Sequence, residues 1–374
     1  MKYENSSEGW DATGDLALTW TKTDDGSIVD GSKVIYFSTQ RFIRDIALGN
    51  CCFICGAAPD TKPFNDEHVF PRWLLQRYNL FSRTITLPNG RPVRYDRHTV
   101  PCCEECNTLM GREIELPISA ALDGSPHSVQ DFVASGKGLH LFVWMGLIYL
   151  KLHLKNKTNR KVLDTRVDAG MIADDYDWYL LHHLHTVIRC FYIPTIIEPE
   201  VIGSLMVYPV RTEGSLDEFD FGDLHATQTM MLRLGRTAIF VVFDDSRGAQ
   251  SYIQHNMLPK LTGPISELQV REIMVEFAML NWHLKERPSF QSLCDTVREE
   301  HTIIARRSER PELVGWDLEV RGQLMWNAIG HAWSTFPSLG ASEEEVKKVV
   351  LTGNMSVLWD NNGDFILGDT KRWK

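Results

Sequence analysis

The chain has 374 residues, of which 43% are hydrophobic and 24% charged, and its formal net charge is −10 at pH 7. This length and composition predict a globular protein of roughly two or three domains and exclude a disordered chain. The acidic balance argues against broad, sequence-independent adhesion to nucleic acid, so any basic surface must be local. The polar, acidic start predicts neither a signal peptide nor a transit peptide. The richest apolar run, 139–150, is too short to span a membrane.

The first third of the chain alternates short elements with turn signals. A strand is predicted over 32–37, and a short helix over 38–48, with Phe42 and Ile46 inward, ends at Gly49-Asn50. Further elements are predicted as follows: a helix over 73–80, a basic hairpin over 83–97 with its turn at 88–90, and a helix over 107–115 that Pro117 ends.

Beyond residue 120 the pattern predicts an α+β domain with an antiparallel sheet. Its predicted elements are a buried helix over 139–154, a segment over 178–192 that fits either helix or strand, strands over 201–210, 228–234 and 237–243, and helices over 266–285, 290–307, 318–333 and 343–351. We therefore divide the chain into an N-terminal strand or extension (1–40), a module (41–120) and a domain of unknown role in substrate selection, sensing or oligomerisation (121–374).

Six of the eight cysteines lie in two short stretches around residues 52 and 103. Two C-x-x-C pairs can bring four thiolates to one tetrahedral zinc ion, because each pair forms a tight turn. The predicted zinc ligands are Cys52, Cys55, Cys103 and Cys106. Cys51 or Cys102 could replace its neighbour as a ligand. Without a secretory signal, clustered cysteines favour metal binding over disulfides, and hence a reducing, cytoplasmic location.

Two motifs accompany the cysteine pairs. Glu67-His68-Val-Phe-Pro71 lies between them, and the second pair continues as Cys106-Asn107-x-x-x-Gly111. Together they resemble the acidic-His-x-x-Pro signature and the C-x-x-C-N-x-x-K-G ending of HNH (His-Me finger, ββα-metal) endonucleases. The resemblance covers about residues 50–116 and is carried by the motifs in combination. It implies an α+β fold in which a zinc-stapled ββα-metal nuclease module precedes the larger α+β domain.

The resemblance also implies the chemistry, a metal-dependent hydrolysis of phosphodiester bonds in DNA. His68 would be the general base, and Glu67 and Asn107 would bind a catalytic Mg²⁺ or Mn²⁺. The products would carry a 5′ phosphate and a 3′ hydroxyl. Two positions depart from the family pattern. His98 aligns with a central asparagine and would brace the His68 loop, and Met110 replaces a basic residue.

A local excess of positive charge accompanies these motifs, since residues 62–97 hold seven Lys and Arg against three Asp and Glu. A basic hairpin beside a nuclease site is suited to the phosphate backbone. The alternative is a solvated strand face with scattered arginines. The expected substrate-binding residues are Arg72, Arg83, Arg91, Arg94 and Arg112.

The sequence is compatible with alternative functions and with additional partners. One alternative function is a zinc-stapled module that binds nucleic acid or protein and whose nuclease centre has decayed. Another is a nuclease directed to RNA, because such a centre grips the phosphodiester rather than the sugar. Fused HNH modules often act against phage or plasmid DNA, so the resemblance implies a defence effector. An activator, either a small molecule or a protein, and a homo-oligomer are also expected options. His182, His183 and His185 are interpreted as hydrogen-bonded or solvated histidines.

Overall fold

A computed structural model describes residues 19–212, 218–335 and 342–367. The described chain is mixed α+β, as predicted, and its strands form five sheets, most of them antiparallel. Of the predicted N-terminal extension, residues 1–18 lie outside the described ranges.

The first sheet is an antiparallel meander, and the predicted strand over 32–37 is its third strand. The predicted helix over 38–48 is confirmed, with Ser38 Oγ accepting a hydrogen bond from the Arg41 amide at its start. Phe42 and Ile46 are buried as expected. The elements are β1 (Trp20–Lys22), β2 (Ile28–Asp30), β3 (Lys33–Tyr36), α1 (Thr39–Arg41) and a π-helical continuation (Phe42–Ala47).

The segment with the two motifs contains two strand pairs and two α-helices. Its elements are β4 (Phe64–His68), α2 (Arg72–Arg77), β5 (Thr84–Thr86), β6 (Pro92–Arg94), β7 (Thr99–Cys103) and α3 (Glu104–Met110). Strands β4 and β7 pair antiparallel, with Phe64 opposite Cys103 and His68 opposite Thr99. Strands β5 and β6 form the predicted hairpin. Helix α3 follows β7 directly, whereas α2, β5 and β6 lie between the paired strands β4 and β7 along the chain.

Pro117 does not end the helix that begins at α3, contrary to prediction. The helix continues as a π-helical turn (Gly111–Glu115) and then as α4 (Leu116–Ala121). Pro117 is the second residue of α4, where the missing N–H and the ring are tolerated just after a widened turn.

Helix α6 is the central buried helix of the fold. The helices of this part are α5 (Pro126–Phe132), α6 (Gly138–Asn156) and α7 (Tyr179–Ile188), which continues as a 3₁₀ turn (Arg189–Phe191). The ambiguous segment over 178–192 is therefore helical. By length and composition alone, the helical run Pro126–Asn156 could cross a membrane, but 56% of its apolar window is buried inside the protein. This is weak evidence for a span, because core helices of soluble proteins have the same properties.

A four-stranded antiparallel sheet separates two layers of core. Its strands are β9 (Ser204–Pro209), β10 (Phe219–Leu224), β11 (Thr229–Leu234) and β12 (Thr237–Val242), in the order β10-β11-β12-β9. Alternate residues of β11 face opposite cores: Leu232 packs into the cluster that contains α6, and Met231 into a second cluster. Both faces are covered, which explains why β11 and β12 are almost continuously apolar.

The second core is covered by helices near the end of the described chain. They are α8 (Gly248–Asn256), α9 (Glu267–Trp282), α10 (Leu318–Ile329), a 3₁₀ segment (Gly330–Thr335) and α11 (Glu343–Leu351). Helices α9, α10 and α11 agree with the predicted ranges. Ser342 caps α11 as expected, since its hydroxyl accepts from the Glu345 amide.

The helix predicted over 290–307 is wrong, because this stretch forms a hairpin. The strands are β13 (Ser289–Asp295) and β14 (Glu300–Arg306), and β14 also pairs in parallel with β8 (Ile196–Ile197). His301 and Ile303 are buried, with Thr302 between them less so, which is the two-residue period of a strand. Glu299 at φ +54° makes the tight turn.

Candidate functional site

The four predicted cysteine ligands come together in one buried cluster. The sulfur atoms of Cys52, Cys55, Cys103 and Cys106 all lie within 4.8 Å of one another. Zn–S bonds of about 2.3 Å in a tetrahedron hold sulfur atoms about 3.8 Å apart, and Cys55 Sγ lies 3.6 Å from Cys103 Sγ. The cluster could therefore bind a metal such as zinc, and its donor set is the one that structural zinc prefers.

The two alternative ligands lie outside this four-sulfur cluster. Cys51 is half-buried, and Cys102 is buried with its sulfur 3.8 Å from Cys52 Sγ. Neither belongs to the group of four mutually close thiols.

The first cysteine turn is held from behind by α7 and the turn that follows it. Arg189, 2% exposed, donates hydrogen bonds to the carbonyls of Val34, Ile35 and Ile54. This guanidinium therefore ties strand β3 and the turn between Cys52 and Cys55 to α7.

The histidine cluster on α7 has the same structural role. His182 Nε2 donates to the Phe37 carbonyl and His185 Nε2 to the Phe53 carbonyl, each at 2.8 Å. His183 stacks on Phe290 with ring centroids 3.7 Å apart. These contacts agree with the interpretation of the cluster as structural histidines.

Glu67 faces the protein interior and is paired there. It is 7% exposed, and its Oε1 accepts a hydrogen bond from Lys151 Nζ at 2.6 Å. Lys151, on α6, is 1% exposed and also donates to the His68 carbonyl at 2.8 Å. The ammonium thus lies where a cation bound to Glu67 would be expected.

Asn107 lies on α3 beside strand β4. Its Nδ2 donates to Asn65 Oδ1 at 3.0 Å. Successive strand side chains point to opposite faces, so Asn65 shares a face of β4 with Glu67, while His68 shares the other face with Asp66. The structure therefore brings Glu67 and Asn107 to one face of β4 and places His68 on the other.

A second carboxyl group, that of Glu115, interacts with the charges of Glu67 and Lys151. Burial raises the pKa of Glu115 to about 7, while the Lys151 ammonium lowers that pKa and the Glu67 carboxylate raises it further. Three titratable groups, Glu67, Glu115 and Lys151, thus influence one another beneath β4.

His68 is the accessible member of the predicted catalytic set. The residue is half-buried, and its imidazole has no hydrogen-bond partner within the described ranges. Asp66, exposed, lies two positions away on the same face of β4. An imidazole held at the end of a paired strand can accept a proton from a bound water molecule.

His98 contacts the His68 segment through its backbone. Its carbonyl accepts a hydrogen bond from the Val69 amide at 2.9 Å. The side chain is 1% exposed, its Nδ1 has no partner in the described part of the chain, and burial lowers its pKa to about 4. The bracing expected of His98 is thus carried by its main chain.

The five predicted substrate-binding arginines differ in how much of their charge is compensated. Arg94 Nη2 donates to Asp96 Oδ2, and Arg112 Nε donates to Glu113 Oε1, each at 2.6 Å. These carboxylates cancel part of the positive charge that a phosphate backbone would meet. The other three are exposed Arg72, exposed Arg91 and half-buried Arg83.

Of the two predicted ligands for Mg²⁺ or Mn²⁺, only Glu67 is already paired with a cation, the Lys151 ammonium. Asn107 donates to Asn65 through Nδ2, a bond that does not use the Oδ1 that a cation would bind. Asp66 is the exposed carboxylate on the His68 face, and the sequence pattern gave it no role. Lys151 was also missed, although a lysine that directly follows a fully apolar helical run is a signal for a buried ion pair.

Comparison of the chain with protein-family models, with curated proteins and with solved structures gave no match. The likeness to HNH endonucleases therefore remains the prediction made from the motifs.

Proposed function

We propose that the segment around the cysteine cluster is an endonuclease module that hydrolyses phosphodiester bonds in DNA, with His68 as general base. The observation that carries the proposal is the half-buried imidazole of His68 at the end of β4, which has no hydrogen-bond partner among the described residues. It lies in a strand pair closed by the four-cysteine cluster. The order of β4, β7 and α3 agrees with a ββα unit.

The proposed reaction needs a proton acceptor for the attacking water and a proton donor for the leaving oxygen. His68 takes a proton from a water molecule as the water oxygen attacks phosphorus. The bond between phosphorus and the 3′ oxygen breaks, and the 3′ oxygen takes a proton from solvent water, leaving a 5′ phosphate and a 3′ hydroxyl. The carbonyl of His68 accepts from Lys151 and the next amide is held by His98, so the backbone that carries the imidazole is fixed on both sides.

The proposal includes a divalent cation, and we assign its binding to Asp66 rather than to Glu67. A hard cation would neutralise the charge that develops on the phosphate. Asp66 is an exposed carboxylate on the face of the base, whereas Glu67 is paired with Lys151. Replacing each acid by its amide separates the two possibilities.

The test is cleavage of supercoiled plasmid, of linear DNA and of RNA by purified protein with Mg²⁺, with Mn²⁺ or with EDTA. We expect His68→Ala to lower the rate by about 10²-fold or more, the range that general bases contribute. Asp66→Asn should abolish cleavage or raise the cation concentration that cleavage needs. Glu67→Gln is expected to act mainly through stability. The exposed His127, outside the module, provides a matched control as His127→Ala.

Intact substrates across all cations, or cleavage that His68→Ala leaves unchanged, would remove the proposal. Cleavage of RNA but not DNA would replace the substrate and keep the mechanism. A role in defence against phage or plasmid DNA is a further proposal from the resemblance, and plaque formation on cells that carry wild type or His68→Ala tests it.

A second candidate is a zinc-stapled binding module without catalysis. The pairing of Glu67 with Lys151 favours it, because one predicted cation ligand is already neutralised. This function predicts that nucleic-acid binding is unchanged by His68→Ala and by EDTA at concentrations that leave the zinc bound. Gel-shift titrations of wild type and of His68→Ala, beside the cleavage assay, distinguish the two candidates.

A further inference from the structure

A cavity of about 480 Å³ lies between the β5–β6 hairpin and the edge strand β10. Thr84 and Thr86 line it from the hairpin, Asn156 lines it from α6, and Asp223 from β10. Strand β10 is an edge of its sheet, so the cavity is bordered by main chain as well as side chains. The volume is in the range of pockets that take small organic molecules.

The described residues that line the cavity carry acidic groups but neither Lys nor Arg. Asp220 and Asp223 are among them. Asp220 Oδ1 is neutralised by Arg271 Nη2 at 2.6 Å. Asp223 has no hydrogen-bond donor within the described ranges, and its side chain is 30% exposed. Burial raises the pKa of Asp223 to about 6, so at neutral pH the uncompensated charge of the described lining is one carboxylate.

Behind Asp223 the protein presents a further acceptor. His153 is fully buried, and its Nδ1 donates to the Tyr149 carbonyl at 2.7 Å. Burial lowers the pKa of His153 to about 4, so at neutral pH its Nε2 carries a lone pair. That Nε2 has no partner among the described residues and lies 3.6 Å from Asp223 Oδ2. Two acceptors thus face each other, and a group with N–H donors would satisfy the carboxylate.

The walls beside this acceptor group are aromatic. Tyr176 and Phe221 line the cavity, and the Tyr176 ring is itself stacked on His225 at 4.1 Å between centroids. A flat group entering between the hairpin and β10 would meet ring faces as well as the carboxylate. Aromatic faces together with a few placed polar groups are typical of small-molecule sites.

We propose that this cavity binds a small organic molecule with two adjacent N–H donors on a flat group, either a guanidinium or the edge of a guanine base. The two parallel donors bind the Asp223 carboxylate in a bidentate manner, and the flat group packs against Tyr176 and Phe221. Free phosphate and other anions are excluded, because the lining offers them a carboxylate and no cation.

The binding proposal stands independently of the nuclease. One consequence, that the ligand regulates cleavage, rests on the proposed function. His98 lines the cavity, and its carbonyl holds the amide that follows His68. A ligand that shifts His98 would therefore shift the segment carrying the general base.

The test is calorimetric titration of the full chain with guanosine, with agmatine and with guanosine monophosphate. We expect guanosine or agmatine to bind wild type, and the monophosphate to bind at least tenfold more weakly than guanosine. Asp223→Asn should weaken binding of the bound probe at least tenfold. Asp175→Asn, an exposed acid with 72% side-chain exposure, is the matched control and should leave binding unchanged.

Guanosine binding identifies a guanine ligand, and agmatine binding alone identifies a guanidinium ligand. The proposal is overturned if neither probe binds wild type below about 1 mM, or if Asp223→Asn binds as tightly as wild type. Thr86→Trp, which fills the cavity from the exposed hairpin, should abolish binding even if Asp223→Asn fails to fold. The same titrations on His68→Ala separate this proposal from the nuclease, since binding should persist when cleavage is lost.

Discussion

Replacing Lys151 by methionine should destabilise the protein strongly, because it leaves the Glu67 carboxylate buried without its partner. Lys151 is 1% exposed and Nζ lies 2.6 Å from Glu67 Oε1. Methionine keeps the unbranched stem, so the loss of packing is small. Breaking a buried ion pair from one side costs about 3–5 kcal/mol. We expect the free energy of unfolding at pH 7 to fall by that amount in urea titrations.

A double replacement tests whether the loss comes from the unpaired charge. When Glu67→Gln is added to Lys151→Met, no charge is left unpaired, and we expect part of the loss to be recovered. Lys161→Met removes a partly exposed pair with Asp175 and should cost about 1 kcal/mol or less. A loss below about 1 kcal/mol in Lys151→Met, or losses that simply add in the double variant, would refute the reasoning.

The Lys151→Met variant also tests whether Glu67 can bind a cation. Once Lys151 is gone, a divalent cation that binds the Glu67 carboxylate should raise the midpoint of unfolding, because binding to the folded state alone is stabilising. Mn²⁺ titrated into Lys151→Met and into the double variant measures this directly. If Mn²⁺ stabilises Lys151→Met but not the double variant, Glu67 can act as a cation ligand.

Three further predictions concern the framework around the site. Cys106→Ser should lose bound zinc, measured by metal analysis, and several kcal/mol of stability, whereas Cys190→Ser, outside the cluster, should keep both. Arg189→Met leaves three buried carbonyls without donors at about 1–3 kcal/mol each and should lower the thermal midpoint sharply. Burial lowers the pKa of His301 to about 4, so the unfolded chain gains a proton below about pH 6.5 that the fold excludes. The stability advantage of wild type over His301→Phe should therefore shrink by up to about 1.4 kcal/mol per pH unit as the pH falls from 6.5 to 4. Parallel curves of the free energy of unfolding against pH for the two proteins would contradict this.

Local patterns carried most of the successful sequence predictions. The cysteine spacing identified four thiols that the fold brings together, and the Pro88-Asn89-Gly90 turn predicted the β5–β6 hairpin. The helix predicted over 290–307 was wrong because charged residues and aliphatics at short range fit either period, whereas the stretch forms the β13–β14 hairpin, with β14 also paired to β8 about a hundred residues earlier.

The arrangement of the candidate site could not be predicted from the sequence for a different reason. The contact between Lys151 and Glu67 joins residues 84 positions apart, and nothing local to either residue specifies it. The motif also suggested that adjacent Glu67 and His68 act together, although regular pairing of β4 with β7 through His68 turns adjacent side chains to opposite faces. A family pattern gives the residue types, but the regularity of the strand decides which of them can meet.

Strand β4 belongs to a two-stranded sheet, which is marginally stable in isolation, so its position must come from contacts at its ends. At one end Phe64 pairs with Cys103 of the thiol cluster, and at the other Lys151 donates to the His68 carbonyl. The four-cysteine cluster and α6 therefore fix the backbone of His68 while its imidazole stays unpartnered within the described chain. A rigid backbone under a free imidazole is what a general base requires, whereas a surface that only binds would gain more from an imidazole already engaged in hydrogen bonds.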